Sequence, residues 1–217
     1  MINRATYLLK GKVIRGSRSS LNPIIIAGLG RCGTTLLHNS FKMNHYYIAH
    51  DDFLMFSKNS PEFKLNHLYK THDYPPQFLP ENVKLIFMYG NPMNTVISSH
   101  RRINEWGKAH HEHLGSDNFV PNDTIFYNDT LKLNELFDAW NRPQGFEFLS
   151  IRYETLYTSG TIKTISDFVG FDFKLLPEKK RQTNWKVHPL KEELLKVYGD
   201  LNEKIFNAPD YLIRSKR

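Results

Sequence analysis

A glycine-rich turn lies between an apolar run and a pair of threonines within residues 23–37, and it sets the strongest limit on the possible fold. The apolar run predicts a buried strand, and the threonines predict the start of a helix. Such a turn directs several backbone N–H groups at one point, and the helix N-terminus adds a partial positive charge. The sequence therefore predicts a site for a phosphorylated ligand. The turn and helix start contain Gly28, Gly30, Gly33, Thr34 and Thr35.

The glycine spacing is close to that of an NTPase phosphate loop. Gly28 and Gly33 match the pattern G-x-x-x-x-G, and Thr35 matches its hydroxyl position. However, Thr34 stands where those proteins have a lysine, and the cation of this loop is Arg31. Without that lysine, the β- and γ-phosphates of a nucleoside triphosphate lack their usual partner. An alternative interpretation is a turn that only lets a strand and a helix pack closely.

A second segment, Lys70-Thr71-His72, follows a short apolar stretch and precedes a turn-rich one. Alternate residues of a strand share a face, so Lys70 and His72 are expected to face one cleft. A histidine titrates near neutrality and suits the removal of a proton from an attacking hydroxyl. A fixed cation, Lys70 or Arg31, would stabilise the charge that develops on a leaving phosphate. In isolation, a histidine at a strand end is more often a surface residue.

Two further segments combine a strand with a helix. Residues 83–89 predict a buried strand, after which Asn91 is a good helix cap and Pro92 a good first helical residue. Residues 146–151 predict another strand, followed by Tyr153, Glu154 and a helix that ends near Gly170. We expect Glu154 to tie this strand end to neighbouring backbone. Tyr153 is either a ligand contact or a half-buried core residue.

The four segments, in this order, resemble the sulfotransferases that use 3′-phosphoadenosine-5′-phosphosulfate (PAPS), and they span residues 23–170. The resemblance implies a P-loop-like α/β fold, with a mainly parallel sheet flanked by helices. It implies transfer of a sulfuryl group to a hydroxyl or amine, with 3′-phosphoadenosine 5′-phosphate (PAP) as product and no metal. His72 would be the base, assisted by Lys70 and Arg31. The implied cofactor-binding residues are Gly30, Arg31, Cys32, Gly33, Thr34, Thr35, Ser98, Arg101, Tyr153 and Arg181.

The chain departs from this family at two positions. Gly90 replaces the arginine that helps to hold the 3′-phosphate, and Leu36 replaces a tryptophan beside the adenine. Ser98 matches the phosphate-binding serine of the family. Arg101 and Arg102 lie three and four residues beyond Ser98, so either could replace the missing cation. A solvated basic helix face is the alternative.

The basic stretch near the C-terminus, residues 179–186, matches the family only loosely. Arg181 is its candidate phosphate contact, although runs of Lys and Arg are usually solvated surface.

Composition limits the possible functions of the chain but does not select one of them. The charge of +7 (29 basic minus 22 acidic residues) suits a phosphorylated cofactor and anionic acceptors, and it also suits nucleic acid. A single cysteine, Cys32, excludes an intrachain disulfide and favours a reducing compartment. No stretch approaches the length of a membrane span, and the basic N-terminal segment, residues 1–22, lacks a signal-peptide core. We therefore predict a cytoplasmic protein without membrane partners.

The expected organisation is a single domain over residues 1–217. Residues 105–125, which are polar, aromatic and interrupted by glycine, predict a loop over the acceptor pocket. Asp51 and Asp52 either face the acceptor or cap the next helix. Strands are expected at residues 23–28, 45–49, 67–71, 83–89 and 146–151, and helices at 34–43, 92–104, 126–141, 160–169 and 190–206. The acceptor, whether small molecule, glycan or peptide, is left open, as is the oligomeric state.

Two other functions fit the same loop. An NTP-dependent kinase would need magnesium and a triphosphate. A non-catalytic protein would bind a nucleotide or, less in keeping with the motifs, a nucleic acid. The sulfotransferase interpretation is favoured because four chemically suitable segments occur in order.

Overall fold

The structure, a computed structural model, describes residues 21–43, 48–49, 54, 56, 62–102, 122–178 and 182–215. Several sequence-based expectations fall outside these residues. They are the basic segment up to residue 20, Asp51 and Asp52, residues 105–121 of the expected acceptor-side loop, and Arg181.

The described residues form a six-stranded sheet in the order β2-β3-β1-β4-β5-β6. Its first five strands are mutually parallel, and β6 pairs antiparallel with β5. The mainly parallel α/β fold expected from the sequence is therefore confirmed. The strands are β1 (Ile24–Gly28), β2 (Ile48–Ala49), β3 (His67–Thr71), β4 (Lys84–Tyr89), β5 (Phe148–Arg152) and β6 (Tyr211–Arg214).

Within the described residues, five α-helices connect these strands, and three short 3-10 turns lie between them. Polar caps set several helix ends. The side chain of Asn91 accepts from the N–H of Asn94, and Pro92 occupies the first turn, as predicted. The helices are α1 (Thr34–Met43), α2 (Pro92–His100), α3 (Leu133–Asn141), α4 (Ser159–Val169) and α5 (Lys191–Asn207).

Alternation along the strands gives the sheet an apolar cluster on each face. One cluster contains Ile24 and Ile26 with side chains of α1 and α4, and the other contains Ile25 and Ala27 with side chains of α2, α3 and α5. Burial on both faces explains why β1 is a continuous apolar run. In such a sheet, the residues that directly follow the strands line the cleft at the carboxyl ends of the strands.

The structure differs from the sequence-based assignment in three elements. The helix expected at residues 126–141 starts at Leu133, because Lys132 adopts a left-handed φ of 52° and Asp129 caps the helix through two backbone N–H groups. The helix expected at 92–104 ends at His100, and residues 101 and 102 form a turn. The antiparallel edge strand β6 was not expected, since four residues give too short a pattern for detection.

Candidate active site

The glycine loop leaves β1 at the centre of the sheet and returns as helix α1. The register places Ala27 beside Thr71 of β3 and Gly28 beside Met88 of β4, so the ends of all three strands meet here. Arg31 and Gly33 both have a positive φ, 64° and 81°. These values turn the chain sharply between strand and helix and place the N-terminus of α1 at this edge.

Two glycines of the loop are required by packing. A Cβ on Gly28 would lie 2.5 Å from the carbonyl oxygen of Met88. A Cβ on Gly33 would lie 2.3 Å from the Tyr153 ring. The loop therefore packs directly on β4 and on the turn after β5. Gly30, Cys32 and Thr34 are buried within it, whereas Arg31 and Thr35 are exposed.

The end of β3 contributes two side chains to the loop. The Nζ of Lys70 donates to Oγ1 of Thr35 over 2.8 Å. Nδ1 of His72 lies 2.7 Å from the carbonyl oxygen of Gly28. Because a carbonyl oxygen only accepts, the proton of a neutral His72 ring is on Nδ1, and its lone pair is on Nε2. The structure thus sets the tautomer that a base acting through Nε2 needs.

Helix α2 holds the opposite side of the loop through two consecutive loop residues. Nε of Arg31 donates to Oγ of Ser98 over 3.1 Å. Sγ of Cys32 lies 3.1 Å from Oγ1 of Thr95, and both of these residues are fully buried. Thr95 and Ser98 are three residues apart, so they project from one face of the helix. Cys32 is therefore a buried packing residue that fastens the loop to α2.

The site concentrates positive charge. Burial, and next the nearby guanidinium of Arg31, lower the pKa of Lys70 to about 8. The two cations repel each other, and a bound anion that contacts both would relieve that repulsion. The residues present therefore fit a ligand with a phosphate group.

Tyr153 and Glu154 begin the turn after β5 and pack against the end of β4. The Tyr153 ring covers Gly33. A Cβ added to Gly90 would lie 3.1 Å from the Cβ of Tyr153. Oε1 of Glu154 accepts from the N–H of Asn91 over 3.0 Å, which confirms the structural role expected for this carboxylate. A larger residue at position 90 would have to displace these neighbours, so Gly90 is compatible with the close approach of the two strand ends.

The remaining candidates lie in the turn after α2, on α1 or outside the described residues. Arg101 and Arg102 follow α2 and are exposed. Arg101 is close enough to His188 to contribute to the lowering of its pKa, after burial and His100. Arg181 lies outside the described residues. Leu36 is partly buried and packs against the α1–α4 cluster.

Sequence reasoning missed Thr95 and the connection between α2 and the C-terminal segment. Oδ1 of Asn94 accepts from the N–H of Trp185 over 2.9 Å. The i, i+3 spacing of Thr95 and Ser98 could have revealed Thr95. By contrast, the Asn94–Trp185 contact joins residues far apart in sequence and leaves no local pattern.

Two further findings concern the same described residues. They include no group of three or more His, Cys, Asp or Glu side chains arranged to hold a metal ion. Within them, no helix has the length and apolar character that crossing a bilayer requires.

Among solved structures, the chain is similar to mouse sulfotransferase SULT7A1 complexed with PAP, with a TM-score of 0.40 and 17% identity over 70% of this chain and 60% of that one. It is also similar to retinol dehydratase in complex with androsterone and inactive cofactor PAP, with a TM-score of 0.37 and 14% identity over 90% of this chain and 73% of that one. The chain thus spans less than two thirds of the mouse sulfotransferase. No protein-family model matches the sequence, and no curated protein is significantly similar to it.

Proposed function

We propose that this chain transfers a sulfuryl group from PAPS to a hydroxyl or amine acceptor. One observation carries the proposal: a single glycine loop is hydrogen-bonded to three side chains suited to this chemistry, which come from two other elements. The bonds join Lys70 to Thr35, His72 to the Gly28 carbonyl, and Arg31 to Ser98.

The loop is suited to hold the 5′-phosphate of the donor. Backbone N–H groups at the start of α1 and the hydroxyls of Thr34 and Thr35 supply donors, and the helix N-terminus supplies partial positive charge. PAPS, when bound, supplies the sulfuryl group on that phosphate. Arg31 in the loop and Lys70 at the end of β3 are fixed cations that stabilise negative charge on the departing phosphate oxygen.

His72 is the proposed base. Its Nδ1–H donates to the Gly28 carbonyl, so Nε2 accepts the proton that the acceptor hydroxyl or amine releases. The same hydrogen bond stabilises the imidazolium that results. Because Gly28 belongs to the phosphate loop, the base and the cofactor site are fixed relative to each other by one bond.

The 3′-phosphate contact is proposed for Ser98 with a nearby cation. Ser98 already binds Arg31, and Arg101 lies three residues beyond Ser98, in the turn that follows α2. Tyr153 is proposed for the adenine side, because its ring packs on Gly33 of the loop. The acceptor class is proposed to be a small molecule, a glycan or a peptide.

A kinase is less well supported by this site. Position 34, where an NTPase loop has its lysine, is a threonine, so no cation can reach a triphosphate from there. The cations present, Arg31 and Lys70, are on the loop tip and on β3 instead.

The direct test is transfer of labelled sulfate from PAPS to a panel of phenols, alcohols, amines, sugars and tyrosine peptides. Once an acceptor is found, His72→Ala should lower turnover by about 10²–10⁴-fold, with the affinity for PAP nearly unchanged. His67→Ala, at the opposite end of the same strand, is the matched control and should retain activity. Full activity of His72→Ala would exclude His72 as the base.

A further inference from the structure

We propose that β6 is a homodimer interface, at which two copies pair antiparallel across a two-fold axis at Leu212. The proposal concerns a surface remote from the loop and does not depend on the proposed function. It starts from the position of β6 at one end of the sheet order, where the described residues provide a partner on one side only, strand β5.

The edge is apolar. Tyr211, Leu212 and Ile213 are consecutive in β6 and have relative exposures of 39%, 37% and 43%. Such an edge normally carries a lysine, a proline or a bulge that prevents pairing with another chain. Residues 211–214 contain no lysine or proline, and their register with β5 is uninterrupted; the charged residue of the segment, Arg214, lies at its end. A second strand would remove these apolar side chains from water.

The pairing with β5 fixes which backbone groups point outwards. The N–H of Arg152 donates to the carbonyl of Asp210, and the register pairs Ser150 with Leu212. Because hydrogen-bonding direction alternates along an antiparallel strand, Asp210 and Leu212 direct their backbone groups to β5. Tyr211 and Ile213 therefore direct theirs to the outer edge.

A second copy satisfies this edge in one register. If the axis passes through Leu212, Tyr211 of one copy faces Ile213 of the other, and both pairs exchange two backbone hydrogen bonds. An aromatic side chain opposite a β-branched one is a favourable cross-strand pair. The two Leu212 residues face each other as a non-hydrogen-bonded pair, in which side chains approach most closely.

Charge complementarity favours a second copy over an unrelated apolar strand. In the same register, Asp210 of one copy lies opposite Arg214 of the other, at both ends of the paired segment. Both side chains also have partners within their own chain: Asp210, which is 48% exposed, pairs with Arg152, and the guanidinium of Arg214 donates to Asn141. Opposite charges directly across a strand pair stabilise it, whereas a parallel arrangement would place like residues together.

The interface leaves the candidate active site open. Strands β5 and β4 separate β6 from β1, so the two elements are about 14 Å apart at the usual strand spacing. Dimerisation extends the sheet from six strands to twelve without covering the carboxyl ends of β1 and β3.

Sedimentation velocity over a range of concentrations tests the proposal with two matched variants. Ile213→Ala and Ile213→Pro both remove the side chain, but only the proline removes the outward N–H, and an edge position tolerates it. We expect a concentration-dependent dimer for the wild type, a weaker one for the alanine variant, and a dissociation constant raised at least about tenfold further for the proline variant. Thermal unfolding verifies that each variant folds.

Cysteine cross-linking tests the register independently of proline. Cys32 is the single native cysteine and is buried, so the background is low. Under oxidation, Leu212→Cys should form a disulfide-linked dimer, because the two Cα atoms would lie about 4.5 Å apart. Tyr211→Cys should not link to itself. Any of three results would overturn the proposal. The wild type could stay monomeric at its highest soluble concentration, the dimer could be insensitive to Ile213→Pro, or positions 211 and 212 could cross-link equally.

Discussion

The thiol of Cys32 and the hydroxyl of Thr95 lie 3.1 Å apart in the interior, where they join the glycine loop to helix α2. The next bond along, between Arg31 and Ser98, lies at the surface. The buried pair therefore positions the exposed one, and with it the cation proposed to face the phosphate.

Thr95→Val tests this positioning role. Valine keeps the shape of threonine but lacks the hydroxyl, so we expect a loss of about 0.5–1.5 kcal/mol in the free energy of unfolding. PAP affinity should also fall, because the loop is less firmly held. Thr161→Val is the control, since Thr161 is equally buried and bonded to Thr158 on α4. Chemical denaturation and calorimetric titration with PAP measure both effects; equal PAP affinities of the two variants would contradict the role of Thr95.

Gly33→Ala and Gly170→Ala separate backbone strain from packing. Both glycines have a φ near 80°, but a Cβ on Gly170 meets nothing within 4 Å, whereas one on Gly33 meets the Tyr153 ring. We expect a cost of about 1–2 kcal/mol for Gly170→Ala and a clearly larger one for Gly33→Ala. Gly33→Ala should also weaken PAP binding. Denaturant titration of both variants decides the comparison, and identical costs would show that Tyr153 does not press on the loop.

Proton uptake on PAP binding tests the charge at the site. The pKa of Lys70 is lowered to about 8 by burial and by Arg31, and a bound phosphate should raise it again. Near pH 8, binding should therefore take up about half a proton at Lys70, seen as a dependence of the calorimetric enthalpy on the buffer. Lys70→Met should abolish this uptake. Uptake that is the same in the variant would place the titrating group elsewhere.

The same shift determines how stability depends on pH. The lowered pKa means that the unfolded chain binds more protons than the folded one between about pH 8 and the ordinary lysine pKa. The contribution of Lys70 to the stability of the ligand-free protein is thus unfavourable below pH 8, and it improves as pH rises through this window. Thermal unfolding of the wild type and Lys70→Met across the window should converge at high pH. Parallel curves would contradict the shift.

The 3′-phosphate assignment predicts a ligand-dependent loss. Replacing Ser98 and Arg101 together with alanine should weaken PAP binding far more than binding of adenosine-5′-phosphosulfate, which lacks that phosphate. The surface arginine Arg142, also exposed, provides a control substitution. Titration of each variant with both nucleotides gives the answer. Equal losses for both would show that Ser98 and Arg101 do not read the 3′-phosphate.

Much of the fold could be predicted because its strands are continuous apolar runs and its helices carry local caps. Asn91 and Pro92 marked the start of α2, and Gly170 marked the end of α4. The start of α3 could not be predicted, because it depends on the left-handed backbone of Lys132 and on capping by the partly buried Asp129. Strand β6 is too short to show a recognisable sequence pattern, and its pairing with β5 defines it.

The candidate site was predictable in its residue types but not in its contacts. Arg31, Lys70 and His72 lie at the same edge of the sheet because each is at or just beyond the carboxyl end of a parallel strand. The sequence could not show that Thr35 binds Lys70, or that the Gly28 carbonyl sets the His72 tautomer, because these contacts join residues 35 and 44 positions apart.

Thermal shifts with PAP and with ATP plus magnesium distinguish a PAPS-dependent sulfotransferase from a kinase. The site has Arg31 and Lys70 but no lysine at position 34, so PAP should raise the melting temperature more than ATP with magnesium does. The difference should shrink in Arg31→Ala, because both the loop cation and its bond to Ser98 are lost. A shift with ATP and magnesium, together with no shift with PAP, would contradict a PAPS-dependent sulfotransferase.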